Sequence, residues 1–279
     1  YRDKVAEHSS TATVKTVERV ISEVDKYNGE VILAEVDRNY IMGFIEWLRN
    51  REMYKADKGK LKRPSVGAYV RYIRAALNYA VKDNLLRTSP FKGVKTSTLY
   101  ETESKREYLT VDEVKRLIVT PCRNRELKAA FLFSCFCGLR IRDLESLCWK
   151  HIIKNNGKWQ VETQFKTGVQ LYLPLNMNAR KWLPEQSGAT PDTPVFPKLN
   201  RGYKAVLCDW VKEAGIYKHV CFHTSRHTFA TLALTAGVDI YTTSQLLGHT
   251  TIRHTQRYAK ILNSKKDDAV SLLDNAFVQ

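Results

Sequence analysis

The stretch HTSRHTFAT, residues 223–231, places an arginine between two histidines. His223 and Arg226 are three residues apart, so on an α-helix they project from one face. Taken alone the stretch is ambiguous, because His223 or His227 can equally be a half-buried histidine with its hydrogen bonds satisfied. Its meaning depends on the segments around it.

Two further segments carry candidate functional groups. In LLGHTTIRHTQRYAK, residues 246–260, Tyr258 follows His249 by nine positions among several cations. In CGLRIRDLESL, residues 137–147, Asp143 follows Arg140 by three positions, a helical spacing that lets the carboxylate support the arginine. Each segment also has an ordinary explanation, since a tyrosine on an amphipathic helix usually packs in a core and an arginine in a helical turn usually forms a surface ion pair.

The region around these segments predicts an α+β domain. WQVETQFKTGVQLYLPL, residues 159–175, alternates apolar and polar residues on both sides of Lys166-Thr167-Gly168, which predicts a β-hairpin with Lys166 at its tip. Thr110 with Glu113 predicts a capping box at the start of a helix, and a buried helix is expected over about 124–137. After about residue 202 the pattern is helical, with glycines as helix terminators at positions 215, 237 and 248.

The first 93 residues predict a separate helical domain. Apolar residues recur at helical spacing over 12–27, with Val14, Val17, Val20, Ile21 and Val24 on one face. Asp37 is expected to cap a second helix with Ile41, Phe44, Ile45 and Leu48 on its apolar face, and Ser65 to start a third. Residues 94–107 have little periodicity and are interpreted as a linker. Basic residues cluster from 51 to 74, and the candidates for DNA contact are Lys60, Lys62, Arg63, Arg71 and Arg74.

Composition favours a polyanionic partner. The 279 residues carry 45 Lys and Arg against 29 Asp and Glu, a net charge of +16 shared by both halves of the chain. A hydrophobic fraction of 43% suffices for packed cores, but no apolar run is long enough for a membrane span. None of the six cysteines lies in a CxxC pair, which favours a reducing, cytoplasmic setting. The chain begins at Tyr1 and not Met, so we expect a fragment or a processed product.

In order along the chain, these segments resemble the tyrosine recombinase (phage integrase) family. The matching pieces are Gly138-Leu139-Arg140 with Asp143, the hairpin Lys166, His223 to Arg226 with His227 and Thr228, Leu246 to His249, and Tyr258. The first half and the REYLT opening at residues 106–110 are most like integrases of mobile elements from Bacteroides-type bacteria. The resemblance implies a mainly α fold with a small antiparallel β-sheet: a helical core-type DNA-binding domain (1–93), a linker (94–107), an α+β catalytic domain (108–261), and a C-terminal tail (262–279) that docks on a neighbouring protomer or folds back in cis.

The same residues suit strand transfer at a DNA phosphodiester. Arg140 and Arg226 can neutralise the charge that develops on the non-bridging oxygens. Tyr258 is the candidate nucleophile, His223 its base, and Lys166 the acid for the leaving 5′-hydroxyl. His249 can donate a hydrogen bond to a phosphate oxygen. Asp143 is expected to orient Arg140, and His227 to support the structure and take no part in the chemistry.

The family resemblance implies a 3′-phosphotyrosine intermediate and no cofactor, neither ATP nor metal. It also implies double-stranded DNA recombination sites, a tetramer on DNA with a monomer or weak oligomer in its absence, an accessory DNA-bending protein as a candidate partner, and action at the bacterial nucleoid. Two other functions stay open at this point, a type IB topoisomerase and a DNA-binding regulator without chemistry. A metal site built on Cys221, His223 and His227, or on Cys135 and Cys137, lacks four ligands at zinc spacing.

Overall fold

The chain divides into two compact units, Tyr1–Ser104 and Lys105–Gln279. The structure is a computed structural model that describes residues 1–51, 61, 63–99, 107–164, 170–197, 199 and 202–259. Three predicted positions, Lys60, Lys62 and Lys166, lie outside the described residues, as does the tail from 262 to 279. Within the described ranges no helix is long and apolar enough to cross a membrane.

The first unit is helical. Its helices are α1 (Arg2–His8), α2 (Thr11–Asn28), α3 (Arg38–Asn50) and α4 (Arg63–Lys82), with short 3-10 turns at Leu33–Glu35 and Ser97–Leu99. The carboxylate of Asp37 accepts a hydrogen bond from the backbone N–H of Tyr40 at 2.7 Å, which confirms the predicted N-cap of α3. The whole predicted apolar face of α3 is buried against α4.

Two expectations for the first unit were wrong, and one helix was missed. Ile21, assigned to the apolar face of α2, is 42% exposed, and that helix instead buries Val17, Val20 and Glu23. Glu23 is a charged residue on the buried side because it pairs with Arg51. The third long helix, α4, already includes Arg63, two residues before Ser65, because proline at the following position is compatible with the first turn of a helix. Helix α1 was not predicted.

The second unit builds helices around a small sheet. Its elements are α5 (Val111–Val119), α6 (Arg125–Cys137), α7 (Ile141–Glu145), a 3-10 turn at Trp149–His151, β1 (Ile152–Asn155), β2 (Lys158–Gln164), β3 (Gln170–Pro174), α8 (Met177–Arg180), α9 (Tyr203–Glu213), α10 (Phe222–Thr235), α11 (Ile240–Leu246) and α12 (Arg253–Ala259). Helix α6 is buried along most of its length and packs on α10, which confirms the buried helix and sets α10 in the core.

The sheet has the order β1-β2-β3 and is antiparallel throughout. Val161 lies opposite Leu173, and both side chains are buried, so the two strands predicted around Lys166 are confirmed. Strand β1 was missed. Asn156 and Gly157 both have positive φ values, 47° and 78°, and form the tight turn between β1 and β2. An Asn-Gly pair between apolar runs is a strong hairpin signal, so the sequence did contain a signal for β1.

Two hydrogen-bond systems fix the start of the second unit. The predicted capping box is confirmed, because Thr110 Oγ1 accepts from the Glu113 N–H and a Glu113 oxygen accepts from the Thr110 N–H. The buried N–H of Leu109 donates to Thr228 Oγ1 at 2.9 Å. Thr228 therefore anchors the beginning of the domain to α10.

Candidate active site

Arg226 lies at the centre of the candidate site and is almost completely buried, with 3% of its surface exposed. Its guanidinium donates to the carbonyl oxygen of Gly138 at 2.7 Å and to that of Leu247. Gly138 ends α6 with a left-handed φ of 77°, and Leu247 ends α11. One arginine thus joins three of the segments that the sequence singled out. Burial, followed by the charge of Arg140, lowers the pKa of Arg226 to about 10, so the group is still cationic at neutral pH.

Arg140 is the second cation of the site and is half-exposed. It is the N-cap residue of α7, and its backbone N–H donates to the Asp143 carboxylate at 3.0 Å. The Arg140 guanidinium lies 3.8 Å from the same carboxylate. Burial raises the pKa of Asp143, although the hydrogen bond and the charges of Arg140 and Arg226 oppose that shift. Asp143 therefore holds the turn that presents Arg140.

Tyr258 lies on α12 and is buried, with 4% exposed. Its ring packs with Ala230, Leu234 and Leu247, the residues that join α10, α11 and α12. It is close enough to Arg226 for its phenolate charge to act on the pKa of that arginine. Apolar contacts thus hold the candidate nucleophile in place, within range of the charge of Arg226.

The hydroxyl group of Tyr258 is hydrogen-bonded to His227. His227 Nδ1 lies 2.5 Å from Tyr258 Oη, and their ring centroids are 5.5 Å apart. His227 is 7% exposed, whereas His223, one turn earlier on α10, is exposed. The two histidine rings meet edge to face with centroids 4.4 Å apart. The sequence did not indicate that His227 contacts the tyrosine.

His249 stands on the turn after α11, where Gly248 has a φ of 57°. Its Nδ1 lies 2.7 Å from the hydroxyl oxygen of the buried Thr255 at the start of α12. This hydrogen bond ties the last histidine of the predicted set to the helix that carries Tyr258. The positive φ values at 215, 237 and 248 confirm the predicted glycine terminators around these helices.

The buried cysteines do not form a reactive centre. Cys135 and Cys137 lie in the core of α6, and burial raises the pKa of Cys137 to about 12, so its thiol stays protonated at neutral pH. In the described part of the chain there is no group of three or more His, Cys, Asp or Glu arranged to hold a metal ion. The positive charge of the candidate site comes from Arg140 and Arg226.

Comparison with known proteins identifies the family. Residues 107–265 match the model of the phage integrase family, and residues 1–98 match that of the phage integrase SAM-like domain. The chain belongs to the phage integrase family. It is thus a tyrosine recombinase by family, and the topoisomerase and regulator alternatives are not favoured.

Relatives and solved structures match most of the chain. A tyrosine recombinase of Pseudothermotoga lettingae is 23% identical, covering 97% of this chain and 93% of its own length. Tyrosine recombinase XerD of Listeria monocytogenes is 26% identical, covering 93% and 91%. The fold is similar to that of the Tn1549 transposon integrase in complex with a circular intermediate DNA (TM-score 0.72, 18% identity, 92% of both chains) and to that of a lambda integrase dimer bound to a COC' core site (TM-score 0.70, 18% identity, 92% of both chains).

The predicted DNA-contact residues of this integrase-family chain differ in their surroundings. Arg63 and Arg71 are exposed on α4, and Arg71 lies over the ring of Tyr72. Arg74 instead donates to Thr96 Oγ1 at 3.0 Å and lies 4.7 Å from the centroid of the Phe91 ring. Its guanidinium therefore braces α4 against the segment that follows, a role that the sequence did not reveal.

Proposed function

We propose that this chain is a site-specific DNA recombinase whose Tyr258 attacks a DNA phosphodiester and forms a 3′-phosphotyrosine intermediate. The observation that carries the proposal is the hydrogen bond between the Tyr258 phenol and His227, the residue next to the buried, cationic Arg226. The charge of Arg226 also interacts with Tyr258 and with Arg140. Positioned cations stabilise the charge that develops on phosphoryl oxygens in the transition state. The Arg140 guanidinium can hold non-bridging oxygens by paired hydrogen bonds, and Arg226, which also donates to Gly138 and Leu247, adds its charge and its remaining N–H donors.

The remaining predicted residues take roles around this centre. His249 donates to a phosphate oxygen, and Asp143 orients Arg140 through the turn that they share. Lys166, outside the described residues, is assigned to protonate the leaving 5′-oxygen on the grounds of its place between β2 and β3. His223 was the base expected from the sequence, and it is exposed with its ring against that of His227.

A covalent capture experiment tests the main claim. The chain is incubated with a pool of nicked duplexes of randomised core sequence, denatured, and recovered with the DNA that is covalently attached. We expect adducts from the parent chain and none from Tyr258→Phe, and the captured sequences then identify the substrate. Equal capture by Tyr258→Phe would refute the assignment of the nucleophile.

The same capture can test for a cofactor. We propose that strand transfer needs neither metal nor ATP, because the phosphotyrosine bond retains the energy of the cleaved bond and the arginines supply the positive charge that Mg²⁺ supplies in other phosphoryl-transfer sites. Adduct yield is expected to be unchanged in excess EDTA and without nucleotide. A requirement for added divalent metal would contradict this proposal.

We further propose the domain roles and assembly. Residues 1–93 hold DNA through the exposed face of α4, 94–107 connect the units, and 108–261 carry the chemistry. The tail, 262–279, has an amphipathic sequence. The second unit has an apolar cleft of about 910 Å³, and we propose that it receives the tail of a neighbouring protomer. The residues that line the cleft include Val111, Trp159, Leu173, Leu232, Val238 and Leu246. This exchange would link protomers in a tetramer on DNA. Deletion of 265–279 should then abolish strand exchange between sites, and unchanged exchange would exclude docking in trans.

The biological setting is a proposal that rests on sequence resemblance. The helical first half and the REYLT opening support a role in integrating or excising a mobile element of Bacteroides-type bacteria, at the nucleoid in the bacterial cytoplasm, with an accessory DNA-bending protein. Mapping the captured sequences onto the ends of such elements would test this assignment. Efficient relaxation of plain supercoiled DNA without paired sites would instead favour a topoisomerase.

A further inference from the structure

The two histidines on α10 differ in what they can do for Tyr258. His227 is buried and its Nδ1 lies 2.5 Å from Tyr258 Oη, within hydrogen-bond reach of the proton that must leave. His223 is exposed at the edge of the same helical face, and its ring contacts the His227 ring at a centroid distance of 4.4 Å. The sequence could not separate the two, because residues four apart share one face of a helix.

We infer that His227 is the proton acceptor for Tyr258, which leaves the exposed His223 to contact the DNA backbone. The inference rests on the proposed function, since it concerns the attack of that tyrosine on DNA. A phenol has an ordinary pKa of about 10 and an imidazole one of about 6.5, so transfer between them is uphill by about 3–4 pKa units. The arginines lower that cost by stabilising the phenolate.

Protons and electrons balance in the proposed reaction. The phenolic proton passes to His227 Nδ1, and a lone pair on Oη forms the bond to phosphorus. The bond from phosphorus to the 5′-oxygen breaks, and that oxygen takes a proton from the acid assigned to Lys166. On rejoining, the incoming 5′-hydroxyl returns its proton to the neutral Lys166, and His227 returns the other to Tyr258 as the phosphotyrosine bond breaks.

The buried position of the pair supports this role. Tyr258 and His227 are both shielded, and the apolar contacts of Tyr258 with Ala230 and Leu234 hold its ring against α10. Water competes weakly for a hydrogen bond in such a position, so the contact is kept until the phenol is used. For His227 to accept the proton, its Nδ1 must be unprotonated and the ring proton must lie on Nε2.

A rescue experiment separates proton transfer from structural support. The rate of covalent adduct formation is measured in single turnover on a nicked duplex chosen from the captured pool, with tyrosine or the more acidic 3,5-difluorotyrosine at position 258. In His227→Asn the amide oxygen can accept the phenolic hydrogen bond but cannot take the proton. We expect this variant to be slower by about 100-fold or more, and difluorotyrosine to restore at least about a tenth of the parent rate, because an acidic phenol needs its base less.

Matched variants complete the test. His223→Asn, one turn away on the same face, should be slowed without rescue by difluorotyrosine, and the exposed His219→Gln should react like the parent. A His227→Asn rate within threefold of the parent, or a slow rate that difluorotyrosine does not raise, would overturn the inference. If the parent chain itself forms no adduct, the proposed function fails before the histidines are compared.

A measurement on the DNA-free protein does not depend on variants that fold. The ¹⁵N chemical shifts of His227 should show an unprotonated Nδ1 and a protonated Nε2 at neutral pH. A proton on Nδ1 would make the imidazole the donor in its hydrogen bond to Tyr258, and the inference would be wrong.

Discussion

Replacement of Gly138 by alanine should destabilise the second unit through two separable effects. The residue has a φ of 77°, and a left-handed backbone costs an L-residue about 1–2 kcal/mol. A Cβ at this position would lie 2.5 Å from Phe229 Cδ1 and 3.1 Å from Leu247 Cδ2, and overpacking of this kind costs about 1–3 kcal/mol. We therefore expect the free energy of unfolding to fall by about 2–5 kcal/mol, measured by urea unfolding followed through tryptophan fluorescence.

The control is Gly237→Ala, at the end of α10. Its φ of 96° carries the conformational cost, but nothing lies within 4 Å of the added Cβ. The difference between the two variants reports the close contacts with Phe229 and Leu247, and in a Phe229→Ala background the cost of Gly138→Ala should fall by the part due to Phe229. If Gly138→Ala destabilises the chain no more than Gly237→Ala does, the reasoning from the close contact is refuted.

Three more predictions follow from the contacts of the second unit. Arg226→Lys should slow adduct formation by about 100-fold or more, because a single ammonium cannot replace the several N–H donors of the guanidinium. A loss below tenfold in single-turnover kinetics would count against a role of Arg226 in stabilising the charge on the phosphate oxygens. Thr228→Val should lower the free energy of unfolding by about 1–3 kcal/mol in urea titrations, since the buried N–H of Leu109 loses its acceptor, and no change would mean that the N–H finds another partner. Burial acts to raise the pKa of Glu113, but the hydrogen bonds from Lys218 and Thr110 outweigh it and leave that pKa lowered. The ionised Glu113 therefore stabilises the folded state above the unfolded pKa of about 4.3, and this stabilisation is lost as pH falls through the folded pKa. Lys218→Met should therefore show a smaller loss of stability than the parent between about pH 6 and pH 3 in urea titrations, and an equal loss would show that the ion pair does not contribute.

Local signals predicted much of the fold. Asp37 caps α3 and Thr110 forms its box with Glu113, because both devices join atoms only three residues apart. Gly237 ends α10 because the conformation that terminates a helix is intrinsic to glycine. In the same way, period-two alternation marked the strands on both sides of Lys166. Each of these predictions depends on atoms that are close in the chain.

Long-range contacts could not be predicted from the sequence. Arg74 was assigned to DNA by its charge, but its guanidinium bonds to Thr96, 22 residues away, a pairing that depends on how the chain returns past α4. His227 was assigned a supporting role, yet its partner Tyr258 lies 31 residues on. Helical periodicity shows that His223 and His227 share a face, but the packing of α12 determines which of them meets the phenol.

The double hydrogen bond of Arg226 has a consequence for building chimeric recombinases. Its two acceptors are backbone carbonyls at the ends of α6 and α11, 88 and 21 residues from the arginine. Backbone positions cannot be restored by matching side chains, so a segment grafted from a relative would have to reproduce the helix endings at Gly138 and Leu247 to within tenths of an ångström. Crossover points that keep 138–247 from one parent should yield active enzymes more often than points that divide it. Segment 138–247, whose two ends are both hydrogen-bonded to Arg226, is therefore the practical unit of exchange in this domain.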